Sequence, residues 1–339
     1  MCTSVTSAVY AKEKAPVRFD AFDGGRVGAR AQGMGFAFTS IADNADAPFW
    51  NPAGLNKLPS NLFAVSLDVV RQSRLSTAEI IQGEPLRGRT LTYLAFAGQN
   101  GALGFRPMSD IDELIVLDSA DPDNNFEKRQ IKINSFFLSA GSTYNENMTV
   151  GLNIHYLNGR LSIVREKTGE ENLAEIDDGN GYTIDWSLLY SPDEFISIGV
   201  TGQNLPGNIF WGDYAKTILP AILRAGISMR LPNMLLISYD YEKRFYRDGL
   251  VRPNFDHIGI ELPLGPKLRI RGGIYGEDFN EIGKTHYTAG LGYVQQGYFV
   301  DIAMDKYNQL KNEQYEKIFE YLVSFNIPFG SLVPSNKFR

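Results

Sequence analysis

The sequence predicts an all-β protein, a transmembrane antiparallel β-barrel of about 14 strands with a partly helical segment at its N-terminal end. Three observations support this fold class. About 14 segments alternate apolar and polar residues, and each approaches the roughly 9–11 residues that a tilted strand needs to cross a bilayer. Aromatic residues cluster at the ends of the apolar faces, and charged residues occupy the opposite faces in mid-strand.

The alternating segments follow one another from residue 61 to residue 329. In one of them Val150, Leu152 and Ile154 share a face, with Gly151 and Asn153 opposite. The candidate strands are residues 61–73, 89–99, 101–107, 130–143, 148–156, 182–190, 195–203, 218–230, 234–243, 255–262, 267–275, 285–293, 298–307 and 318–329. A phase shift near Phe136–Phe137 predicts a bulge. The long stretches 109–128, 167–180 and 204–217 are predicted outer loops.

Two features favour a membrane barrel over a soluble β-sandwich. Tyrosines stand at both ends of apolar faces, as in Tyr182 with Tyr190 and Tyr287 with Tyr293, and this arrangement is typical of the aromatic girdles at membrane interfaces. A polar lumen accepts charges on inward faces, whereas in the alternative interpretation they cover the solvated face of a sheet. The charged residues in question are Asp185, Arg224, Arg230, Asp240, Glu261, Arg269, Arg271 and Asp301.

Composition excludes several other classes. The 339 residues carry a formal net charge of -6, which gives no basic surface for nucleic acid. No run of 18 apolar residues is present, so a helical membrane protein is excluded. The single cysteine, Cys2, cannot form an internal disulfide. Residues 1–11 are interpreted as the remnant of a signal peptide, with a small-residue cleavage site after Ala11.

Residues 28–58 differ from the rest of the chain. They are rich in glycine and alanine and end in a turn at Asn51-Pro52-Ala53-Gly54. Pro52 fixes its own φ, and Gly54 permits a positive φ. The stretch is predicted to form a compact, partly helical element that fits a confined space. A glycine-rich helix with a proline turn in a soluble enzyme is the alternative.

This stretch resembles the N-terminal signature of the FadL-like outer-membrane barrels, and more narrowly of their PorV/PorQ-type and UPF0164-type branches. The matching residues are Gly28, Arg30, Gly33, Met34, Gly35, Ala37, Phe38, Ala42, Asp43, Ala45, Trp50, Asn51, Pro52, Ala53, Gly54 and Leu55. The resemblance implies a hatch, residues 12–60, inside a barrel formed by residues 61–329. It also implies the outer membrane of a diderm bacterium. The aromatic-ended last strand is similar to that of outer-membrane barrels, although the tail 330–339 departs from that pattern.

Two functions follow from the resemblance. The first is a passive channel for hydrophobic molecules such as long-chain fatty acids, gated by the hatch, with outer-membrane lipid around it. The hatch residues implied to meet the ligand are Met34, Phe36, Phe38, Phe49, Trp50, Asn51, Pro52, Ala53 and Gly54. The alternative is a PorV-like partner of the proteins of a secretion or surface-attachment machine, without small-molecule transport. A structural barrel that transports nothing is a third interpretation.

Pro107 interrupts a strand pattern. Proline removes a hydrogen-bond donor from the ladder and belongs at edges or bulges. In the FadL-like barrels the third strand kinks and opens the wall sideways. Gly104, Phe105, Arg106 and Pro107 are therefore candidates for a lateral opening. The alternative is that Pro107 ends a short strand.

The sequence predicts no enzyme, no metal site and no cofactor. His155, His257 and His286 fall on separate strands without ligand spacing. The acidic stretches 118–125 and 177–180 lack the complete spacing of a calcium loop. A lipid hydrolase would need a serine and a histidine on one barrel face, and His155 is its conceivable base.

Overall fold

The computed structural model describes residues 12–15, 26–69, 89–232, 234–246, 253–295, 298–311 and 314–329. The predicted signal remnant 1–11 and the tail 330–339 lie outside the described residues. Three short helical elements precede the sheet: α1 (Ala29–Gly33), α2 (Ala47–Trp50) and a 3-10 helix (Pro52–Lys57). No helix in the described ranges is long and apolar enough to span a membrane.

The described strands form one antiparallel sheet that closes into a 14-strand barrel, as the sequence predicts. The seam pairs the first strand with the last, from Leu62 opposite Pro328 to Val69 opposite Tyr321. The strands are β1 (Leu62–Val69), β2 (Arg89–Ala97), β3 (Gly101–Val116), β4 (Asn125–Asn145), β5 (Met148–Lys167), β6 (Leu173–Tyr190), β7 (Ile196–Gln203), β8 (Gly207–Trp211), β9 (Thr217–Ile218), β10 (Ala221–Arg230), β11 (Leu236–Phe245), β12 (Phe255–Leu264), β13 (Leu268–Gly276), β14 (Thr285–Gln295), β15 (Tyr298–Lys311) and β16 (Gln314–Pro328).

Alternation along each strand sorts the side chains to two faces. On β10, Leu223 and Ile227 face outward, whereas Arg224 and Ser228 are buried inside. An apolar band with tyrosines near its edges therefore surrounds a polar lumen, the arrangement of an outer-membrane barrel. Short turns join the strands at the end where β1 begins. By the usual topology of such barrels this is the periplasmic end, and the longer connections are outside.

The strand β8 continues β7 beyond a bend at residues 204–206, and β9 continues into β10 beyond a bend at residues 219–220. Asn204 connects the two bends, because its backbone N–H donates to Asp185 at 2.9 Å and its side chain donates to the Pro220 carbonyl at 2.9 Å. A cavity of about 650 Å³ lies at these bends, bordered by apolar side chains that include Leu205 and Phe245.

The predicted bulge at Phe136–Phe137 is wrong. The strand β4 alternates without a break there, with Phe136 49% exposed outside and Phe137 4% exposed inside. The register shift lies on the neighbouring strand β3, between Pro107 and Ser109. The sequence misleads because two consecutive phenylalanines interrupt the alternation of apolar and polar residues, although Phe137 faces inward, where its ring stacks on Tyr93.

The predicted outer loops are too long. Ladder pairing of β3 with β4 continues to Val116 opposite Phe126, and β5 with β6 to Arg165 opposite Leu173. Residues 117–124 and 168–172 remain as turns, and parts of 204–217 form β8 and β9. The sequence hid these extensions because their outward faces mix charged residues, such as Asp110 and Asp112, with apolar ones, such as Leu114. Beyond the bilayer an outward face meets water, where cross-strand ion pairs such as Arg160 with Asp178, 2.7 Å apart, form readily.

Replacing Ile154 by arginine tests the position of the lipid-facing band. Ile154 is 53% exposed on the outer face of β5. An arginine there would lie in hydrocarbon, so the free energy of unfolding is expected to fall by about 2–4 kcal/mol. Urea unfolding in lipid vesicles measures it. Leu114→Arg on the outer extension of β3 is the control, for which the change in the free energy of unfolding is expected to be near zero. An equal loss of stability in both variants would contradict the assigned position of the lipid-facing band.

Candidate functional site: the hatch and the lumen around it

We use the name hatch for residues 27–58, which lie inside the barrel. Its core is formed around Trp50, whose ring centre lies 4.9 Å from that of Phe49 and 5.7 Å from that of Phe36. The indole N–H of Trp50 donates to the carbonyl of Val27 at 3.0 Å. Met34, Phe38 and Ala53 are fully buried as well. The predicted ligand-contact residues are thus brought together, and they pack on one another and on the barrel wall.

The Asn51 side chain holds the predicted turn in place. Its Oδ1 accepts from the N–H of Ala53 at 3.1 Å, and its Nδ2 donates to the carbonyls of Thr39 and Leu188 at 2.8 and 3.1 Å. Thr39 belongs to the hatch and Leu188 to β6. One amide therefore joins the two halves of the hatch to the wall, which gives the Asn-Pro-Ala-Gly turn a structural role.

Wall side chains supply hydrogen bonds for the hatch backbone. Asp240 accepts from the N–H groups of Phe38 and Thr39 at 2.9 and 2.7 Å. Further bonds run from Tyr93 to Ala45, from Asn153 to Pro48, from Gln203 to Phe49, and between His257 and Gly35. Asp240 is predicted from the sequence as an inward charge, whereas Tyr93, Asn153 and Gln203 are not predicted to bind the hatch. Their only signal was a polar group on an inward face.

At several points the hatch backbone touches the wall so closely that only glycine fits. A Cβ atom added at Gly273 would lie 2.2 Å from the N atom of Gly35. At Gly259 it would lie 2.3 Å from the Met34 carbonyl oxygen, and at Gly151 it would lie 2.2 Å from the Ala53 N atom. These approaches leave no room for water between hatch and wall at those strands.

Ion pairs fill the lumen on the periplasmic side. Arg30 of the hatch donates to Glu261 at 2.8 Å, and Arg271 donates to Glu261 at 2.6 Å and to Asp301 at 2.7 Å. The same residues border a cavity of about 200 Å³ at the short-turn end. Because each charge has an opposite partner, none of these buried charges is left uncompensated.

A cluster of buried apolar side chains lies on one side of the lumen, outside the hatch. Leu157 and Ile133 are fully buried there, and the indole of Trp211 covers Gly159 and Gly179. The buried apolar cluster comprises Met108, Ile131, Ile133, Leu157, Leu161, Ile163, Ile209, Trp211 and Leu219. The lumen therefore has an apolar zone directly outside the hatch. Farther out, the buried Glu127 pairs with Arg129 and Arg165.

The ladder between β2 and β3 is short. In the described residues the pairing runs from Ala97 opposite Ala102 to Leu94 opposite Phe105, although both strands continue. Directly beyond Phe105 lie Arg106 and Pro107, and the register of β3 against β4 shifts there. Met108 and Ser109 are consecutive and both buried, which is the geometry of a bulge. Residues 104–107 thus stand where the β2–β3 pairing ends.

His155 lies between a serine and an aspartate. Its Nδ1 is 2.9 Å from the Ser135 hydroxyl, and its Nε2 is 2.8 Å from the Asp185 carboxylate. Ser135 has no exposed surface, so its hydroxyl cannot meet a substrate in this arrangement. Asn153 bonds both Asp185 and the Pro48 carbonyl, at 3.2 and 2.6 Å. The row joins three strands to the hatch.

The other histidines take part in a stack of rings. His257, Tyr275, His286 and Tyr307 follow one another with ring centres 5.5, 4.3 and 4.5 Å apart. Among the residues that the structure describes, no group of three or more His, Cys, Asp or Glu side chains is arranged to hold a metal ion.

An outer loop between β8 and β9 is held by buried and charged partners. The backbone N–H groups of residues 212–214 donate to the Asp177 carboxylate. The Tyr214 hydroxyl donates to Glu175 at 2.7 Å, and Glu13 accepts a backbone bond from the same loop at 2.7 Å. Burial and the adjacent Glu175 carboxylate raise the pKa of Tyr214 to about 12, so this hydroxyl stays a donor at neutral pH.

Similarity to known proteins is found in structure alone. No family model matches the sequence, and no curated protein matches it. The CymD monoaromatic hydrocarbon channel superposes with a TM-score of 0.63 at 15% identity, over 90% of this chain and 98% of that one. The toluene transporter TodX of P. putida superposes with a TM-score of 0.65 at 14% identity, over 91% of this chain and 99% of that one. A Pseudomonas aeruginosa FadL homologue superposes with a TM-score of 0.57 at 10% identity, over 94% of this chain and 100% of that one.

Those similarities show that the chain has the fold of the FadL-like barrels, as its N-terminal signature predicts. The closed sheet and the apolar outer band are those of an outer-membrane type of β-barrel.

Gly273→Ala is expected to disturb the seating of the hatch, because the new methyl group would meet the backbone of Gly35. Overpacking of this kind costs about 1–3 kcal/mol in the free energy of unfolding. Urea unfolding in detergent measures it. Gly272→Ala is the matched control, since its nearest neighbour would be Ile260 at 3.7 Å. Equal stability of both variants would mean that hatch and wall are not in tight contact.

Proposed function

We propose that this protein is an outer-membrane channel for the passive uptake of hydrophobic molecules such as long-chain fatty acids. The ligand enters the apolar zone outside the hatch, stops at the hatch and leaves sideways between β2 and β3. In this proposal the hatch closes the axial route and directs the ligand to the wall. Burial of an alkyl chain in the outer lumen contributes roughly 0.8 kcal/mol for each methylene group.

The observation that carries this proposal is the position of the short ladder. The pairing of β2 with β3 ends at Phe105, and the next inward residue, Arg106, lies against Phe49 of the hatch. The break thus stands at the level where the hatch blocks the axial path. Met108, which forms the bulge beside it, belongs to the apolar cluster of the outer lumen. An apolar path and a break in the wall therefore meet at one point.

Three similar structures support the same class of function, since they are described as a monoaromatic hydrocarbon channel, a toluene transporter and a FadL homologue. In this proposal the hatch does not swing aside to open an axial path. Backbone contacts at Gly151, Gly259 and Gly273 favour a hatch that stays in place.

A specific observation favours the second candidate, a partner of a secretion or surface-attachment machine. The strands β4, β5 and β6 have 21, 20 and 18 residues, about twice what a bilayer requires, and build a firm outer surface. That surface exposes large apolar side chains, among them Leu114 and Ile176 at 63% and 68%. A protein partner would bind here.

Deleting Met108 tests the lateral route. The deletion removes the extra residue of the bulge, so β3 can follow a straight ladder and close against β2. Uptake of radiolabelled oleate by bacteria that produce the barrel is expected to fall to the level of cells without it. The purified variant is expected to keep most of its oleate binding in detergent, because eight of the nine side chains of the apolar cluster remain.

Met108→Leu retains the bulge and the apolar surface, and it is the matched control. Full oleate uptake by the deletion variant would exclude the lateral route. If the native barrel neither binds nor takes up oleate, the result favours the partner function.

A further inference from the structure

A groove on the membrane-facing side of the wall lies at the bends that join β7 to β8 and β9 to β10. The ladder of β10 with β11 ends at Ala221 opposite Phe245. In the described part of the chain, β9 pairs with β8 and not with β11. The two sheet edges therefore diverge beyond Phe245, and the cavity of about 650 Å³ lies in the wedge between them.

The groove is apolar along its sides and at its floor. Leu205, Leu223 and Phe245 are exposed on the outer face and border it. Leu219 and Ile222 border it as well, and both are buried on the inner side of the wall. Because Leu219 also belongs to the apolar cluster of the lumen, one layer of side chains separates the groove from that cluster.

The size and the position of the groove fit an acyl chain. Its volume lies within the range of about 300–1,000 Å³ that is usual for small-molecule sites. It opens toward the lipid-facing side of the barrel, where hydrocarbon chains surround the wall. An acyl chain in the wedge would supply the packing contacts that the diverging strands leave unmade.

A lysine lies beside the groove on the same outward face. Lys243 of β11 stands opposite Leu223 in the ladder, and its Nζ atom lies 5.5 Å from the centre of the Phe245 ring. Its other outward neighbour on β11 is Tyr241. None of these neighbours is acidic, so a positive charge adjoins the apolar groove.

Lys243 lies at the level expected for lipid head groups. The outward Tyr239 and Tyr241 precede it on β11, and tyrosines of this kind mark the membrane interface. Lys243 follows Tyr241 by about 7 Å along the strand. The outward acid of the adjacent strand, Asp256, already accepts from the Tyr239 hydroxyl at 2.6 Å. A lipid phosphate would therefore complement the charge of Lys243.

We infer that this groove binds one anionic, phosphate-bearing lipid of the surrounding membrane. An acyl chain lies along Leu205, Leu223 and Phe245, and the phosphate lies at Lys243, whose ammonium group attracts it as a point charge. The bound chain completes the wall over the apolar cluster of the lumen. The site is on the outside of the barrel, so this inference goes beyond the proposed function and applies equally to a channel and to a secretion partner.

The test compares two lipids with the same dioleoyl chains, the anionic phosphatidylglycerol and the zwitterionic phosphatidylcholine. Native mass spectrometry of the folded barrel in detergent measures how much of each lipid is bound as its concentration rises. The native barrel is expected to bind the first phosphatidylglycerol about fivefold more tightly, which is the effect of one lysine near the head groups. Lys243→Gln is expected to abolish this preference. Ala221→Trp, which fills the groove, is expected to weaken the binding of both lipids.

Each variant has a matched control on another part of the wall. Lys306→Gln controls for charge, since Lys306 of β15 also lies near an outward ring, that of Tyr287 at 6.0 Å. Ala289→Trp controls for size, since Ala289 is an exposed residue of β14. Both controls are expected to bind the two lipids as the native barrel does.

Three results would overturn the lipid site. They are equal affinities of the native barrel for the two lipids, equal effects of Lys243→Gln and Lys306→Gln, and undiminished binding of both lipids by a folded Ala221→Trp variant. Lys243→Gln changes only an exposed side chain, so it decides the test even where Ala221→Trp does not fold. Oleate uptake is a separate measurement, and its failure would leave this inference standing.

Discussion

The backbone N–H and C=O groups of the hatch lie in a lumen where no strand pairs with them. The rest of the structure depends on how the barrel wall binds these groups. Short helical elements satisfy only part of a backbone, since their first N–H and last C=O groups lack partners. Asp240, Asn153 and Gln203 reach inward and bind those groups. Glycines on facing strands let the backbone approach to contact distance.

This arrangement is compatible with the proposed function, in which a partly polar lumen conducts apolar molecules. Paired charges lie around and below the hatch. A further group, Glu127 with Arg129 and Arg165, lies near the outer end of the barrel. Apolar side chains lie directly outside the hatch, where a hydrophobic ligand would arrive. The two zones meet where the β2–β3 pairing ends, so an apolar molecule that reaches the hatch lies beside the wall and the membrane. Such a route avoids moving an alkyl chain through a polar pore.

The barrel and the existence of the hatch could be predicted from the sequence, because each depends on residues that are close together along the chain. Alternation determines the facing of each strand, and the small residues with Asn51-Pro52-Ala53-Gly54 form one continuous motif. Pro107 also marked the position where a ladder changes. How the ladder changes at Pro107 depends on the pairing register of β3 with its two neighbouring strands. This register cannot be predicted from one segment of the sequence.

Contacts between distant strands could not be predicted in the same way. Ser135, His155 and Asp185 meet only because three strands pair in one register. Loop lengths were overestimated because outward charges look like loops until the strands are known to extend beyond the bilayer. The Phe136–Phe137 pair misled because one inward position is apolar.

The central claim is that the hatch stays in place while the ligand leaves through the wall. Ser40 of the hatch and Ser238 of β11 have their hydroxyl oxygens 3.5 Å apart, so cysteines at both positions are close enough for a disulfide. The decisive measurement is oleate uptake by this double variant, in a Cys2→Ser background, before and after reduction. The account predicts equal uptake in both states. Uptake that is lost in the oxidised form and restored by reduction would show that the hatch must move, and would contradict it.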